Sequence, residues 1–286
     1  MAVELVKEKY NGAVNTLEIG KGAKAVKVGG QTALPFLFDE GAMPHKPVVA
    51  LEVLDTEPSD AVIDFVNSHQ VPLLCVRLEG IHPDNGNKSA DDSIKFLTAI
   101  SKRVSVPLVV IGCGDADRDN EVLPKVSQAF KGANFLFGIA TQNNYKTLAA
   151  TALADGHSII AESPIDVNIA KQLNILISDM GFDLNRIVMH PMTTSLGYGM
   201  EYVYSIMERS RLAAFMGDKM LSMPLIVFVG DETWKVKEAK ESRRQGVNWE
   251  VATAVSMLQT GADIVVLRDP ESAKTVMGYI DLLMNK

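Results

Sequence analysis

The chain is 286 residues long, 47% hydrophobic and 22% charged, and its 35 Asp and Glu against 28 Lys and Arg leave a formal charge of −7. That balance argues against nonspecific nucleic-acid binding, which draws on clustered Lys and Arg, and no apolar run reaches the ~18–20 residues of a membrane span. Two cysteines, Cys75 and Cys113, cannot by themselves complete a four-thiolate iron–sulfur site or a tetrahedral zinc site.

In chain order, the opening "MAVELVKEKYNGAVN" carries charges throughout and lacks the apolar core and cleavage site of a secretory signal. A cytoplasmic protein is expected. "VNTLEIG" and "KAVKVGG" then alternate apolar and polar residues across "KGA" and predict a hairpin within residues 1–30. Such a hairpin either plugs a larger core or offers its edge to a partner chain. Eight apolar runs follow: "VVALEVLD" (48–55), "LLCVRLEG" (73–80), "PLVVIGCGD" (107–115), "ANFLFGIA" (133–140), "SIIAES" (158–163), "RIVMHP" (186–191), "PLIVFVGDE" (224–232) and "DIVVLRD" (263–269). Near-continuous hydrophobicity marks strands of a parallel sheet covered on both faces. Between them, sets such as Ile94, Leu97 and Ile100, or Val276, Met277, Ile280 and Leu283, share one helical face. Eight such alternations predict a single α/β domain over 1–286, a (β/α)8 TIM barrel with an N-terminal hairpin extension. A doubly wound open sheet would show a Gly-rich turn after its first strand; "LDTEPSD" is no such turn, and "GCGD" at 112–115 is too short to be one. The basic cluster "ESRRQG" reads as a solvated loop.

A barrel of this kind builds its site from the loops after the strands. Here those loops read "EGIHPDNGN", "CGDADRDN", "ATQNNYK", "ESPIDVNIAKQLN", "HPMTTSLGYG" and "GDETWK". They predict a neutral polar mouth of Asp, Asn, Thr, Ser and peptide groups, suited to hydrogen-bonding a large amide-bearing or heterocyclic ligand. No strand interior carries a Schiff-base Lys, and the five His are spread over unrelated loops, so no metal set is expected. Each candidate also has a structural reading. Asp115 and Asp166 stand where helix N-caps belong, Asn143, Asn144 and Asn168 fit first turns, His190 fits a packed strand end, and "LGYG" fits a flexible turn.

In "VGGQTALPF", "PLVVIGCGD", "NNYKTL", "SPIDVNIAKQLNILI", "LGYGMEYVYSIMERSRLAA" and "GDKMLSMPLIVFVG" the sequence resembles the small subunit of the corrinoid iron–sulfur protein, the delta subunit family of acetyl-CoA decarbonylase/synthase. The blocks span nearly the whole chain, which differs from the family in shorter stretches after the first strand and before Trp249. The resemblance implies a barrel paired with a large subunit that carries the iron–sulfur cluster and shares a cobamide with the barrel mouth. It also implies a methyl group carried on cobalt from a methyltetrahydropterin methyltransferase to acetyl-CoA synthase/CO dehydrogenase in the reductive acetyl-CoA pathway. The chain itself would then be a carrier subunit rather than a catalyst. By loop position, Asp115, Asn143, Asp166, Asn168, Thr193, Thr194, Ser195, Gly197, Tyr198 and Gly199 become the expected cobamide contacts. The chain has no D-x-H-x-x-G motif and only two cysteines, so the main ligands of both cofactors are expected from the partner.

A second reading is a catalytic pterin-dependent methyltransferase of the same fold, with Asp115, Asn143 and Asn168 on the pterin. A sugar-phosphate enzyme would need a phosphate-binding Gly pair after strands seven and eight, which "GDETWK" and "RDPESA" do not provide.

Overall fold

The computed structural model describes residues 10–34 and 43–284. The first nine residues of the expected extension, and the last two of "VGGQTALPF", lie outside the described residues. Strands β1 (Thr16–Ile19) and β2 (Val26–Gly29) form the expected antiparallel hairpin, with Thr16 opposite Gly29. Barrel strands and helices then alternate: β3 (Val48–Leu54), α1 (Asp60–His69), β4 (Leu73–Arg77), α2 (Ala90–Arg103), β5 (Leu108–Ile111), α3 (Ala116–Ala129), β6 (Leu136–Ala140), α4 (Tyr145–Asp155), β7 (Ser158–Glu162) and α5 (Val167–Asp179). They continue with β8 (Ile187–His190), α6 (Met200–Phe215), β9 (Ile226–Phe228), α7 (Val229–Thr233), α8 (Lys237–Glu241), α9 (Arg243–Gln259), β10 (Ile264–Leu267) and α10 (Pro270–Met284). The eight strands β3 to β10 run parallel, in the order β8-β7-β6-β5-β4-β3-β10-β9. A single bridge, Met189 to Leu225, with the Met189 N–H donating to the Pro224 carbonyl at 2.9 Å, joins β8 to β9 and brings the sheet round. The expected (β/α)8 barrel is what forms.

Several strands are shorter than their apolar runs, β4 ending at Arg77 and β5 at Ile111, and one gives way to a helix. β9 stops at Phe228, and Val229–Thr233 turns into helix α7, so "GDE" belongs to a helical turn rather than to a strand. Gly230 makes that turn possible, because a Cβ there would sit 2.8 Å from the Arg268 backbone nitrogen and from a Glu250 carboxylate oxygen.

The period of two along each strand sorts side chains into an outer and an inner set. The outer set packs against the helices, while the inner set (Val48, Ala50, Leu73, Cys75, Val109, Ile111, Leu136, Ile160, Val188, Ile226, Ile264, Val266) forms one cluster with Leu17, Ile19 and Val28 of the hairpin. The hairpin is therefore the plug of the barrel's N-terminal end. Asn134, just before β6, ties it there: its amide donates to the carbonyls of Glu18 (2.9 Å) and Gly20 (3.0 Å), and its own carbonyl accepts the Gly20 N–H at 2.8 Å. Buried Asp263 gathers the Gln31 amide, the Arg211 guanidinium and the Leu225 N–H, closing the same end. Among the described residues no helix is long and apolar enough to cross a membrane. Cys75 is buried inside the barrel, whereas Cys113 lies two residues past β5, half-buried at its C-terminal end. Arg243 of "ESRRQG" is less free than a solvated loop residue, since it grips Asp269 through two nitrogens at 2.8 and 2.9 Å.

Candidate functional site

Continuing the inner rows by two residues replaces apolar side chains with charged or polar ones: Ala50 is followed by Glu52, Cys75 by Arg77, Ile160 by Glu162, Val188 by His190 and Val266 by Arg268. The mouth is therefore floored by charge. This corrects the expectation of a neutral ring, which arose because most of these charges sit at the strand ends and not in the loops after them.

Three of these groups close on one another through a fourth, Asp231. The two oxygens of Glu52 accept from Nε of Arg77 and Nε of Arg268, each at 2.8 Å. The two oxygens of Asp231, in the first turn of α7, face the same guanidiniums at 3.4 and 3.2 Å. Each carboxylate thus bridges both arginines, which makes the buried cluster neutral and its geometry mutually fixed. Burial opposes the charge on Arg77, but Glu52 and Asp231 outweigh it and hold its pKa above the ordinary value. Burial likewise pushes Asp231 up, and Arg77, Lys235 and Arg268 bring it below the usual carboxylate range. The Arg77 guanidinium also lies 5.7 Å from the centre of the Phe228 ring.

Beside this cluster, His190 Nδ1 is 2.9 Å from Glu162 and Nε2 is 3.2 Å from the Thr193 hydroxyl, which accepts the Phe228 N–H at 2.9 Å. An ionised carboxylate only accepts, so Nδ1 carries the proton it shares with Glu162, while Nε2 faces the Thr193 hydroxyl. Burial raises the Glu162 pKa, but the hydrogen bond and charge of His190, with Arg77, leave it below its ordinary value.

Asp119 reaches from α3 back to the loop after β5, accepting the N–H groups of Cys113 (2.9 Å) and Gly114 (3.2 Å). It is 2% exposed. A Cβ on Gly112 would fall 2.0 Å from its oxygen, so only glycine lets the carboxylate tuck under this loop. Burial dominates over these bonds and lifts the Asp119 pKa to about 6, and it lifts the neighbouring Cys113 thiol to about 11. Arg77, Asp119, Glu162, His190, Phe228 and Asp231, with the Gly112–Gly114 loop, Ile139, Thr141, Asn143, Asn144, Met192, Thr193 and Glu232, enclose a cavity of about 380 Å³.

Of the residues expected to contact a ligand, only Asn143 and Thr193 line this cavity. Asp115 caps α3 by accepting the Arg118 N–H at 2.9 Å. Asp166 caps α5 through the N–H groups of Asn168 (2.7 Å) and Ile169 (3.2 Å), and Asn168 is exposed on the first turn. Asn144 is the buried residue of its pair and holds Thr141 and Ile139 in place. The "TTSLGYG" loop forms the rim next to the cavity, anchored where Leu196 accepts the Trp249 indole N–H at 3.0 Å and donates its own N–H to Thr253 at 3.2 Å. Gly197 and Gly199 hold φ of +79° and +96°. The Thr194 and Ser195 hydroxyls are buried with no hydrogen-bond partner among the described residues. Met192, Tyr198 and Tyr202 are 41, 48 and 65% exposed, and the Tyr198 hydroxyl donates to Glu238 at 2.6 Å. Glu52, Arg77, Asp119, Glu162, Asp231 and Arg268 were not singled out by sequence. The signal for most of them was the inner-face period itself, carried one step past the apolar residues.

The model of the family CO dehydrogenase/acetyl-CoA synthase delta subunit matches residues 16–285. The acetyl-CoA decarbonylase/synthase complex subunit delta of Methanothermobacter thermautotrophicus is 31% identical, over 93% of this chain and 74% of its own length. The subunit of that name from Methanocaldococcus jannaschii is 28% identical, over 94% of this chain and 74% of its own. Among solved structures, dihydropteroate synthase of Yersinia pestis with a pterine–sulfa conjugate superposes with a TM-score of 0.61 at 17% identity, covering 84% of this chain and 94% of that one. The enzyme of Xanthomonas albilineans with 4-aminobenzoic acid gives 0.61 at 14% identity, covering 85% and 95%. At such identities these two show the shared barrel fold.

Two outcomes follow from this electrostatic arrangement. Glu52→Gln leaves the buried Arg77 and the half-buried Arg268 short of a carboxylate and is expected to lower unfolding free energy by about 3 kcal/mol; a loss below about 1 kcal/mol in urea denaturation would contradict the bridging role. Asp119 has a folded pKa of about 6 against an ordinary 3.8, so its contribution to stability is full below the ordinary value and lost as pH rises through about 6. Relative to Asp119→Asn, the wild type should lose up to about 3 kcal/mol between pH ~4 and ~7.5. Parallel stability curves for the two proteins over that range would refute this.

Proposed function

The chain belongs to the CO dehydrogenase/acetyl-CoA synthase delta subunit family, and from that premise we propose that it is the barrel subunit of a corrinoid methyl carrier. Its partners are sought in the acetyl-CoA decarbonylase/synthase complex that names its relatives. In this reading a large subunit brings the iron–sulfur cluster and shares a cobamide with the mouth of this cytoplasmic barrel. A methyltetrahydropterin methyltransferase and acetyl-CoA synthase/CO dehydrogenase lie on either side of the carrier.

The observation that carries the reading is the rim. Buried hydroxyls of Thr194 and Ser195 have no partner among the described residues, two glycines hold the loop in left-handed conformations, and Met192, Tyr198 and Tyr202 present apolar surface to the outside. Unsatisfied hydroxyls beside exposed apolar side chains fit the edge of a flat, amide-bearing macrocycle. A bound corrinoid would supply a cobalt able to accept and release a methyl group. This chain's rim residues would hold the macrocycle and exclude water from its inner face, with Thr193, Thr194, Ser195, Gly197, Tyr198 and Gly199 nearest to it. His190 is already engaged by Glu162 and Thr193, which suits a subunit that supplies no metal ligand. Asp115, Asp166 and Asn168 serve their helix starts first, and any cobamide contact from them would be secondary.

A catalytic pterin-dependent methyltransferase remains the second reading, favoured by the likeness of fold to an enzyme solved with a pterine conjugate. Against it, Asp115 and Asn168 stand at helix starts, and only Asn143 of that expected trio borders the cavity. The purified chain alone is expected to show no methyl transfer from methyltetrahydrofolate to free cobalamin above the uncatalysed rate. Sustained turnover would overturn the carrier reading.

A further inference from the structure

We propose that the cavity beneath the rim is a binding site for a small planar cation presenting N–H donors, of the amidinium or protonated amino-heterocycle class. The inference goes beyond the carrier reading and does not rest on it. A cavity of about 380 Å³ lies within the range of small-molecule sites but is too small for a corrin macrocycle with its side arms, so a corrinoid on the rim leaves this space without an occupant of its own.

The sign of the charge selects the ligand. Among the side chains that line the cavity or pair directly with its lining, the five carboxylates of Glu52, Asp119, Glu162, Asp231 and Glu232 face three cations, Arg77, Arg268 and Lys235. Both arginines are already committed to Glu52 and Asp231, and Lys235 to Asp231 and Glu232. Among the described residues around the cavity no Lys or Arg is left over for an incoming anion. Glu162, by contrast, uses one oxygen on His190 while its other oxygen accepts no hydrogen bond among the described residues. A part-buried, ionised carboxylate with free lone pairs draws in a donor of opposite charge. Ile139, Phe228 and Met192 supply apolar walls, which suit a flat ring behind the donor edge.

The probe is benzamidine, with benzoate as a planar partner of opposite charge, titrated calorimetrically into the full chain at about pH 7.5, where Asp119 is ionised. Saturable benzamidine binding is expected, with no benzoate binding. Glu162→Gln should weaken benzamidine roughly ten-fold, the share of one charge-assisted hydrogen bond. The rim variant Asn143→Lys, at an exposed position, should weaken it by placing a like charge at the entrance, and it tests the proposal even where Glu162→Gln fails to fold. The proposal is overturned if benzamidine does not saturate, if benzoate binds as tightly, or if either variant, folded by circular dichroism, binds benzamidine as the wild type does. None of these results bears on whether the chain pairs with a corrinoid-bearing partner, so the two readings fail separately.

Discussion

Two carboxylates that each bridge the same two arginines set the shape of everything above them. Glu52 and Asp231 hold Arg77 and Arg268 at the level where the apolar interior ends. Any one of these charges buried alone would be costly, but a closed neutral set fixes four side chains at once. Below it the barrel is filled by aliphatic residues and plugged by Leu17, Ile19 and Val28 of the hairpin. Above it the space stays open, because guanidiniums already locked to carboxylates cannot collapse into the mouth. The helical turn of α7, permitted by Gly230, is what delivers Asp231 to this set. A small local departure from strand geometry therefore defines the floor of the cavity.

Much of this architecture was legible in the chain. Eight near-continuous apolar runs, with one-sided helices between them, specify a parallel barrel because both sheet faces must be buried. The hairpin was legible from alternation, and its burial resolves it as a plug. The seventh strand was read too long because "VFVGDE" gives no local cue that packing against Arg268 and Glu250 bends it into a helix. The site was harder to read. A charged residue at the end of an apolar strand reads as the end of burial, and the pairing of Glu52 with Arg268 joins positions 216 apart in sequence. Asp119 was hidden for another reason: it lies on a helix among acidic neighbours, and only the fold shows it turned back under Gly112–Gly114. Asp115 and Asp166, conspicuous after their strands, proved to be caps, the ordinary use of Asp at a helix start.

The site divides into two layers with different chemistry. The inner layer is a charged, acceptor-rich cavity built on strand ends, rigid because its members hold one another. The outer layer is the "TTSLGYG" rim, glycine-bent and anchored by Trp249 and Thr253, with unpartnered hydroxyls and exposed apolar side chains. Membership in the delta subunit family gives the outer layer its proposed task, the shielding of a cobamide delivered by another chain. In that task the rim residues would exclude water and meet amide arms without ligating a metal.

In the proposed reading the chain owes its cofactor to a partner. The most direct test is to purify the chain alone and co-expressed with a corrinoid iron–sulfur large subunit, recording visible absorbance together with cobalt and iron content. The account predicts a colourless, cobalt-free chain and a stable one-to-one complex that contains corrinoid and iron. A chain that ignores the large subunit and retains a methylated pterin by itself would contradict it.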